Sequence, residues 1–226
     1  HRRQRQMCIR DRYMLLALSK NVFYYDQFAR KADWTNRWDI KAWDLAEKNI
    51  LVVGFGRIGS RLVKRAKAFD MNIFVYDPYV NSSEIKNSGA VHVDNYKSIL
   101  AKMDAVSLHC PKNEETTDMF SSEEFSMMKD TSFLINCARG GIVNELALHE
   151  ALTSKKIRAA GLDVYDDEPS TSSNPLFSLE NVLLSPHIAG VTVEATIRMS
   201  KQSVQNVLDL FDNKINPEVI INKNVL

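Results

Sequence analysis

Residues 49–60 constrain the fold of this 226-residue chain more than any other stretch. Residues 50–53 form a short apolar run, which is typical of a strand buried on both faces of a parallel sheet. The run ends at Gly54, Gly56 and Gly59 in the spacing G-x-G-x-x-G, and apolar residues then recur at helical spacing. Such a turn brings backbone N–H groups and the positive end of a helix dipole close to a pyrophosphate. The stretch therefore predicts a dinucleotide-binding β-α unit.

A second apolar run, residues 72–76, ends at Asp77. This position lies about twenty residues beyond the glycine turn, where a carboxylate accepts hydrogen bonds from an adenosine ribose. The alternative is a glycine-rich turn followed by an aspartate by chance, which the motif alone leaves open. Pro78 and Tyr79 follow, with no arginine to pair with a 2′-phosphate. The sequence therefore favours NAD over NADP as the cofactor.

The composition excludes several classes of protein. With 45% hydrophobic and 25% charged residues, the chain resembles an ordinary soluble globular protein. Its formal net charge of +1 gives no electrostatic reason to expect a nucleic-acid or membrane partner. The three cysteines show no C-x-x-C spacing, so neither a disulfide framework nor a metal site is indicated. No apolar run is long enough to span a membrane. We therefore expect a cytoplasmic protein that holds no metal.

Residues 1–12 differ from the rest of the chain because five of the twelve are arginines. A nucleic-acid-binding arm or a targeting peptide would have this character. The apolar run that follows is too short for a convincing signal-peptide core. Residues 5–12 also resemble a translated sequencing adapter, so we interpret residues 1–12 as a non-native head and leave them out of the predicted fold.

The segment 13–45 is predicted to begin with a helix at 14–28 and to continue as an aromatic stretch. Trp34, Trp38 and Trp43 lie in that stretch. So many aromatic residues outside a sheet indicate a surface for a partner, or packing against their own subunit, and the sequence favours neither.

After the glycine turn, strand and helix patterns alternate. Further strands are predicted at 72–76, 91–93, 105–109, 133–136, 159–163 and 182–184, with helical stretches at 82–88, 95–102, 121–129 and 144–154. This alternation predicts the α/β class, with a doubly wound parallel sheet of the Rossmann type. A last helix is predicted at 193–211, with an apolar stripe of Val193, Ile197, Val204, Val207, Leu208 and Phe211, before a tail at 213–226.

Three polar residues follow predicted strands at the sheet edge where ligands of such folds bind: Arg139, Glu168 and His187. An arginine can bind a carboxylate through two hydrogen bonds, and a histidine can protonate a carbonyl oxygen while hydride reaches its carbon. A nearby glutamate can hold that imidazole in one tautomer and favour its charged form. Singly, each residue has an ordinary interpretation as a loop anchor, a solvated acid or a helix cap. Their joint appearance favours reduction of a 2-oxo acid. His109, at a strand end, is expected near the cofactor through its backbone.

These motifs together resemble the cofactor domain of the D-2-hydroxyacid dehydrogenase family, over about residues 13–222. The matching segments are the glycine turn at 54–59 and residues 76–78, 136–143, 161–164, 168–169 and 185–190. The resemblance implies that Arg139, Glu168 and His187 are the catalytic set. It implies further roles for other residues. Arg57 and Ile58 would meet the pyrophosphate, Asp77 the ribose, and Asp163 the nicotinamide amide, while Pro111, Thr116, Cys137, Ala138 and Gly190 would line the cofactor cleft.

The family also implies a homodimer, formed in part by the segment near 13–45. In one respect the chain departs from the family, whose substrate domain begins before the helix at Met14. We therefore expect a dinucleotide-binding domain at 13–212, a tail at 213–226 that returns towards the substrate domain, and most of that second domain to be absent. The predicted function is NAD-dependent hydride transfer between a D-2-hydroxy acid and its 2-oxo acid. The alternative is an NAD-sensing binding module, as in the corepressors of the same family.

Overall fold

The computed structural model describes residues 3–35 and 37–222, with the side chains of residues 9–35 and 37–222. One parallel sheet of seven strands, in the order β3-β2-β1-β4-β5-β6-β7, forms its centre. The strands are β1 (Asn49–Val53), β2 (Asn72–Tyr76), β3 (Val91–His92), β4 (Ala105–Leu108), β5 (Phe133–Asn136), β6 (Ala159–Leu162) and β7 (Val182–Leu184). The predicted fold class, a doubly wound parallel sheet, is confirmed, although three strands end one residue earlier than predicted.

The order of the strands reverses at β1, which pairs with β2 on one side and with β4 on the other. In a doubly wound sheet, a ligand binds in the crevice beyond the carboxyl ends of the strands at this reversal. The glycine turn at residues 54–59 lies directly after β1, at the mouth of that crevice. The sheet therefore places the predicted dinucleotide motif where a ligand can enter.

Helices cover both faces of the sheet. They are α1 (Arg3–Lys20), α2 (Val22–Arg30), α3 (Gly59–Ala66), α4 (Ser82–Asn87), α5 (Ser122–Met127), α6 (Glu145–Thr153) and α7 (Val193–Phe211), with 3-10 helices at Lys67–Phe69, Tyr96–Lys102, Pro175–Ser178 and Pro217–Val219. Leu51 and Val53 of β1 belong to one apolar cluster, whereas Ile50 and Val52 belong to another. Because successive strand residues point to opposite faces, the molecule has a core on each side of the sheet.

The prediction of one helix at residues 14–28 was wrong in two respects. The helix α1 already begins at Arg3, and Asn21 adopts a left-handed conformation with φ of 49°, so that a second helix starts at Val22. Met14 and Leu15 are fully buried, because α1 packs against α3 and against strands β5 and β6. Within the described range, residues 3–12 are thus a continuous part of the first helix.

The three tryptophans of the aromatic stretch have different environments. The Trp43 ring stacks on Phe133, with centroids 4.6 Å apart, and so packs on its own chain. Trp34 and Trp38 are 70% and 74% exposed. Packing on its own chain is therefore confirmed for Trp43, whereas a partner surface at Trp34 and Trp38 stays a prediction.

The last helix, α7, has the predicted bounds, but its apolar stripe faces solvent. Phe211 is 78% exposed and Val204 61%, whereas Ala195 is buried. Within the described part of the chain, nothing covers this stripe. The last four residues of the predicted tail, 223–226, and residues 1 and 2 of the predicted head lie outside the described residues. No helix among those described is long and apolar enough to cross a membrane.

Candidate functional site

The three glycines of the turn are required for three different reasons. Gly54 has a φ of +97°, and a Cβ there would lie 2.8 Å from the backbone nitrogen of Cys110. At Gly59 a Cβ would lie 2.0 Å from the carbonyl oxygen of Gly54, so helix and turn can pack only without one. A Cβ at Gly56 would meet nothing within 4 Å, because this residue faces the open crevice. The turn therefore leaves room for a ligand beside Gly56.

The first turn of α3 has no side-chain cap on its N–H groups, since Ile58 occupies the N-cap position. Unpaired N–H groups at a helix start bind anions, and the helix dipole adds to the attraction. The open space at Gly56 and this uncapped helix start together fit the pyrophosphate of a dinucleotide.

Asp77 lies beside the glycine turn and is already bound to it. Its Oδ2 accepts a hydrogen bond of 2.7 Å from the N–H of Phe55, and its Oδ1 accepts one of 2.9 Å from the N–H of Tyr79. A carboxylate offers about four acceptor positions, so both oxygens retain capacity for ribose hydroxyls. The structure thus fixes the predicted ribose-binding carboxylate at the crevice.

A cavity of about 760 Å³ opens along the carboxyl edge of the sheet. Most of the predicted site residues line it: Gly56, Arg57, Ile58, Pro111, Cys137, Ala138, Arg139, Asp163, His187 and Gly190. Five predicted residues are outside this lining: Gly54, Gly59, Asp77, Thr116 and Glu168. The two glycines shape the turn, and Asp77 flanks it.

Thr116 supports the cavity wall without lining it. Its Oγ1 donates a hydrogen bond of 2.7 Å to the carbonyl of Pro111 and accepts one of 2.9 Å from the N–H of Asn113. These bonds close the loop that follows β4. Thr116 therefore holds Pro111 at the cavity, which is an indirect contribution that the sequence did not suggest.

His187 and Glu168 form a close pair, with 2.5 Å between Nδ1 of the imidazole and Oε2 of the carboxylate. The other oxygen of Glu168 accepts the N–H of Tyr165 at 2.9 Å. Desolvation, the largest single effect, acts to raise the pKa of Glu168. The hydrogen bonds from His187 and Tyr165 and the charges of His187 and Arg139 together outweigh it, so the pKa lies below its ordinary value. The carboxylate is thus kept ionised beside the imidazole.

Asp163 positions the loop that carries His187. This carboxylate is fully buried and accepts hydrogen bonds from the Ser185 hydroxyl and from the N–H groups of Ile188 at 3.0 Å and Ala189 at 2.7 Å. His187 itself has a φ of 51°, a left-handed conformation that a histidine adopts at a cost. Asp163 therefore compensates backbone strain at His187, and its remaining acceptor capacity faces the cavity.

Arg139 lies on the turn after β5. The buried side chain of Asn136 shapes this turn by accepting the N–H of Ala138 at 3.0 Å and donating to the carbonyl of Arg139 at 2.9 Å. The next residue must be glycine, because a Cβ at Gly140 would lie 1.6 Å from the carbonyl oxygen of Tyr165. Among the described residues, no carboxylate lies within 4.0 Å of the guanidinium of Arg139. Its charge is thus available to an anionic ligand.

The sequence did not identify every residue at the cavity. Lys112, Ala189 and Val191 also line it, and so do His109 and Cys110, which the sequence placed only at a strand end near the cofactor. The imidazole of His109 lies 2.9 Å from the Ser107 hydroxyl, and burial lowers its pKa to about 3, which keeps the ring neutral. The position of His109 at the end of β4 predicted that its backbone lies near the cofactor, but it did not predict that its side chain is buried.

Below the cavity floor, α1 places the carboxylate of Asp11 in a fully buried position. Neither oxygen has a hydrogen-bond partner in the described part of the chain. Burial raises the pKa of Asp11 to about 7, and the adjacent Cys137 thiol counteracts this only in part. Because His109 is neutral, its approach to Asp11 at 4.0 Å is not an ion pair. Asp11 is thus the least satisfied buried group near the cavity.

No group of three or more potential metal ligands occurs among the described residues.

The sheet, the glycine turn and Asp77 at the reversal of strand order define a Rossmann-type dinucleotide-binding domain. The sequence model of the D-isomer specific 2-hydroxyacid dehydrogenase NAD binding domain matches residues 13–189. The chain belongs to this family, and NAD is the cofactor of the domain.

Relatives and solved structures agree with this assignment. D-3-phosphoglycerate dehydrogenase of Methanocaldococcus jannaschii is 40% identical over 182 residues, which are 80% of this chain and 34% of that protein. Glyoxylate reductase of Thermococcus litoralis is 36% identical over 219 residues, which are 94% of this chain and 65% of that protein. D-Lactate dehydrogenase from Aquifex aeolicus, solved with NAD and lactic acid, matches with a TM-score of 0.84 at 30% identity, over 93% of this chain and 67% of that one. The chain thus spans about one third to two thirds of the curated relatives it matches.

Proposed function

We propose that this chain is the cofactor domain of an NAD-dependent oxidoreductase that interconverts a D-2-hydroxy acid and its 2-oxo acid. One observation carries the proposal: His187, whose Nδ1 lies 2.5 Å from the Glu168 carboxylate, lines the same cavity as Arg139. A histidine paired with a glutamate and an arginine at one cavity match the two needs of a 2-oxo acid, which are a proton for the carbonyl oxygen and a counter-charge for the carboxylate.

The residues around the glycine turn fit NAD. Gly56, Arg57 and Ile58 would hold the pyrophosphate through the start of α3, and Asp77 would hold the ribose. Asp163 would accept a hydrogen bond from the carboxamide of the nicotinamide. When bound, NAD supplies or accepts the hydride at its nicotinamide ring.

His187 acts as the general acid in reduction. Its Nδ1–H donates to Glu168, which leaves Nε2–H as the proton for the carbonyl oxygen while hydride reaches the carbonyl carbon. In oxidation, Nε2 takes the hydroxyl proton back. Glu168 keeps the imidazole in the required tautomer and stabilises its charge. Arg139 binds the carboxylate and so fixes the distance of the carbonyl from His187.

The remaining features are also consistent with part of a larger enzyme. We propose that the domain extends over residues 13–212, that residues 213–226 lead towards a substrate domain, and that residues 1–12 are non-native. The exposed Trp34 and Trp38 would bury their rings in a homodimer, which light scattering on the W34A/W38A variant would test. The free thiols of Cys110 and Cys137 suit a cytoplasmic setting.

The test is the reduction of hydroxypyruvate and glyoxylate by the full product of the gene. We expect NADH-dependent turnover that falls sharply on His187→Gln and Arg139→Met. The thermal midpoint should stay within a few degrees in both variants, since both side chains line an open cavity. A stably folded, NADH-binding protein without activity towards any 2-oxo acid would contradict the proposal.

A further inference from the structure

A hydrogen bond connects the turn of Arg139 to the loop that carries Glu168. Oδ1 of Asp166 accepts the N–H of Gly141 at 2.7 Å. Gly141 lies two residues after Arg139, and Asp166 lies two residues before Glu168. Because β5 and β6 are neighbours in the sheet, the turn and the loop emerge side by side at its carboxyl edge. The Asp166–Gly141 bond therefore spans the gap between the arginine and the His187–Glu168 pair.

Asp166 is itself held in place where it accepts this bond. Its own N–H donates to Oε1 of Glu145 at 2.8 Å, and Oε2 of Glu145 accepts the side-chain amide of Asn174 at 2.7 Å. Glu145 is the first residue of α6, a helix whose Leu148 and Leu152 belong to the core on one face of the sheet. The backbone of Asp166 is thus anchored to a packed helix, so its carboxylate presents a fixed acceptor.

The preceding residue, Tyr165, connects the same loop to the His187–Glu168 pair. Its N–H donates to Oε1 of Glu168 at 2.9 Å. Its hydroxyl donates to the carbonyl of Ser185, two residues before His187, at 3.0 Å. The loop is thus bound to this pair through Tyr165, while Asp166 binds it to the turn of the arginine.

The guanidinium of Arg139 depends on its own turn for its direction. It donates to the carbonyl of Ala138, its immediate neighbour, and makes no other hydrogen bond or ion pair with the residues that the structure describes. A long side chain held only by its turn moves when the turn moves. Release of Gly141 from Asp166 would therefore displace the arginine relative to His187. A shift of about 1 Å can lower a rate about a hundredfold.

We propose that Asp166 is a positioning residue, which holds the turn of Arg139 in place relative to the His187–Glu168 pair. The inference rests on the proposed function, because it takes the arginine as the anchor of the substrate carboxylate and His187 as the general acid. Asp166 is not among the residues that line the cavity, so it acts through Gly141. Since the donor is a backbone N–H, a neutral acceptor oxygen at position 166 is sufficient for this role.

The test compares three variants in the full product of the gene. Asp166→Ala removes the acceptor, whereas Asp166→Asn keeps an acceptor oxygen for Gly141. Asp167→Ala is the matched control, because this adjacent carboxylate is exposed and makes no hydrogen bond or ion pair in the described part of the chain. The measured quantities are kcat and KM for hydroxypyruvate and glyoxylate, the Kd of NADH by fluorescence, and the thermal midpoint.

We expect Asp166→Ala to lower kcat/KM for both acids by about ten- to a hundredfold, mainly through KM, because Arg139 binds the substrate carboxylate. Asp166→Asn should recover most of this loss, and Asp167→Ala should match the parent. The Kd of NADH and the thermal midpoint should change little, since Asp166 lies at the surface. The proposal is overturned if Asp166→Ala keeps the KM of the parent, if Asp166→Asn is equally impaired, or if NADH affinity falls as much as substrate affinity.

A second readout does not need turnover. In NMR spectra of the 226-residue chain, the Nε–H signal of Arg139, identified by its loss in Arg139→Met, should shift in Asp166→Ala. It should shift much less in Asp166→Asn and stay in place in Asp167→Ala. An unmoved signal in Asp166→Ala overturns the proposal. If the enzyme reduced no 2-oxo acid, the proposed function would fail, and this signal would still decide whether Asp166 positions Arg139.

Discussion

The buried carboxylate of Asp163 accepts a hydrogen bond of 2.7 Å from the N–H of Ala189, two residues beyond His187. Together with its bonds to the Ser185 hydroxyl and to the N–H of Ile188, this contact ties β6 to the loop after β7. His187, the proposed general acid, therefore lies on a backbone segment that hydrogen bonds to a buried carboxylate hold in place.

Asp163→Asn should destabilise this loop. An amide offers one acceptor oxygen, so its NH₂ group would face at least one of the buried donors and leave it unpaired, at a cost of about 1–3 kcal/mol. We expect a lower midpoint in urea unfolding and shifted imidazole signals of His187 in NMR spectra. The exposed Asp167→Asn is the control and should change neither quantity. If Asp163→Asn kept the urea midpoint and the His187 signals of the parent chain, the loop would hold its conformation without this carboxylate.

Asp77→Ala should weaken NADH binding by about 1–3 kcal/mol, the value of a lost charge-assisted hydrogen bond. NADPH should lose much less affinity or gain some, because the negative charge opposing a 2′-phosphate disappears. Fluorescence titration with both cofactors measures the difference, and Glu84→Ala, an exposed carboxylate on α4, serves as the control. Equal losses for NADH and NADPH would contradict the ribose assignment.

His187→Gln, in the full product of the gene, should lower kcat for 2-oxo acid reduction by about 10²–10⁴-fold, the range for a positioned general acid. NADH affinity should change little. The pKa of Glu168 should rise in this variant, since the hydrogen bond from His187 is a main cause of its depression. Carboxyl-carbon NMR over a pH series measures this shift, and an unchanged Glu168 titration would mean that the pair does not form in solution.

Asp11 should make the chain less stable as the pH rises. Its pKa in the folded state is about 7, against an ordinary value of 3.8, so the folded state binds the proton more tightly. The stability from this proton is complete below about pH 4 and is lost as the pH rises through 7, a difference on the order of 4 kcal/mol. Asp11→Asn should flatten this dependence and raise stability above pH 7.

Urea unfolding at several pH values between 4 and 8 tests this prediction, with the exposed Asp70→Asn as the control. If Asp11→Asn retained the full pH dependence of the parent chain, another group would have to be responsible.

The 226-residue chain should bind NADH yet hardly turn over 2-oxo acids. Its dinucleotide motifs lie on a sheet of seven strands, whereas the matched part covers only 34% and 65% of the two curated relatives. Positioning of substrate can supply several kcal/mol of barrier lowering, which one cation, Arg139, does not replace. The exposed stripe of α7 should also favour self-association. Robust hydroxypyruvate reduction by this chain alone would contradict this prediction.

The helices and strands could be predicted because their signals are local. The apolar run 50–53 and the glycine spacing predicted β1, the turn and α3 from neighbouring residues alone, and the stripe of α7 predicted its bounds. The error at α1 has a local cause too. Asn21 interrupts the helix through a left-handed conformation, a state that asparagine tolerates but that hydrophobic periodicity cannot reveal.

The sequence alone determined the backbone of the nucleotide turn, because the spacing of its glycines indicates where the chain turns tightly and packs without side chains. It also determined which side chains reach the carboxyl edge, since strand ends fix that edge. Only the tertiary structure decided that Asp163 supports the loop of His187, that Asp11 is buried, and that Asp166 meets Gly141. Asp163 and Ala189 are 26 residues apart, and Asp166 and Gly141 are 25 residues apart. Such contacts depend on how separate loops and helices dock on the sheet, and no periodicity along the chain encodes that docking.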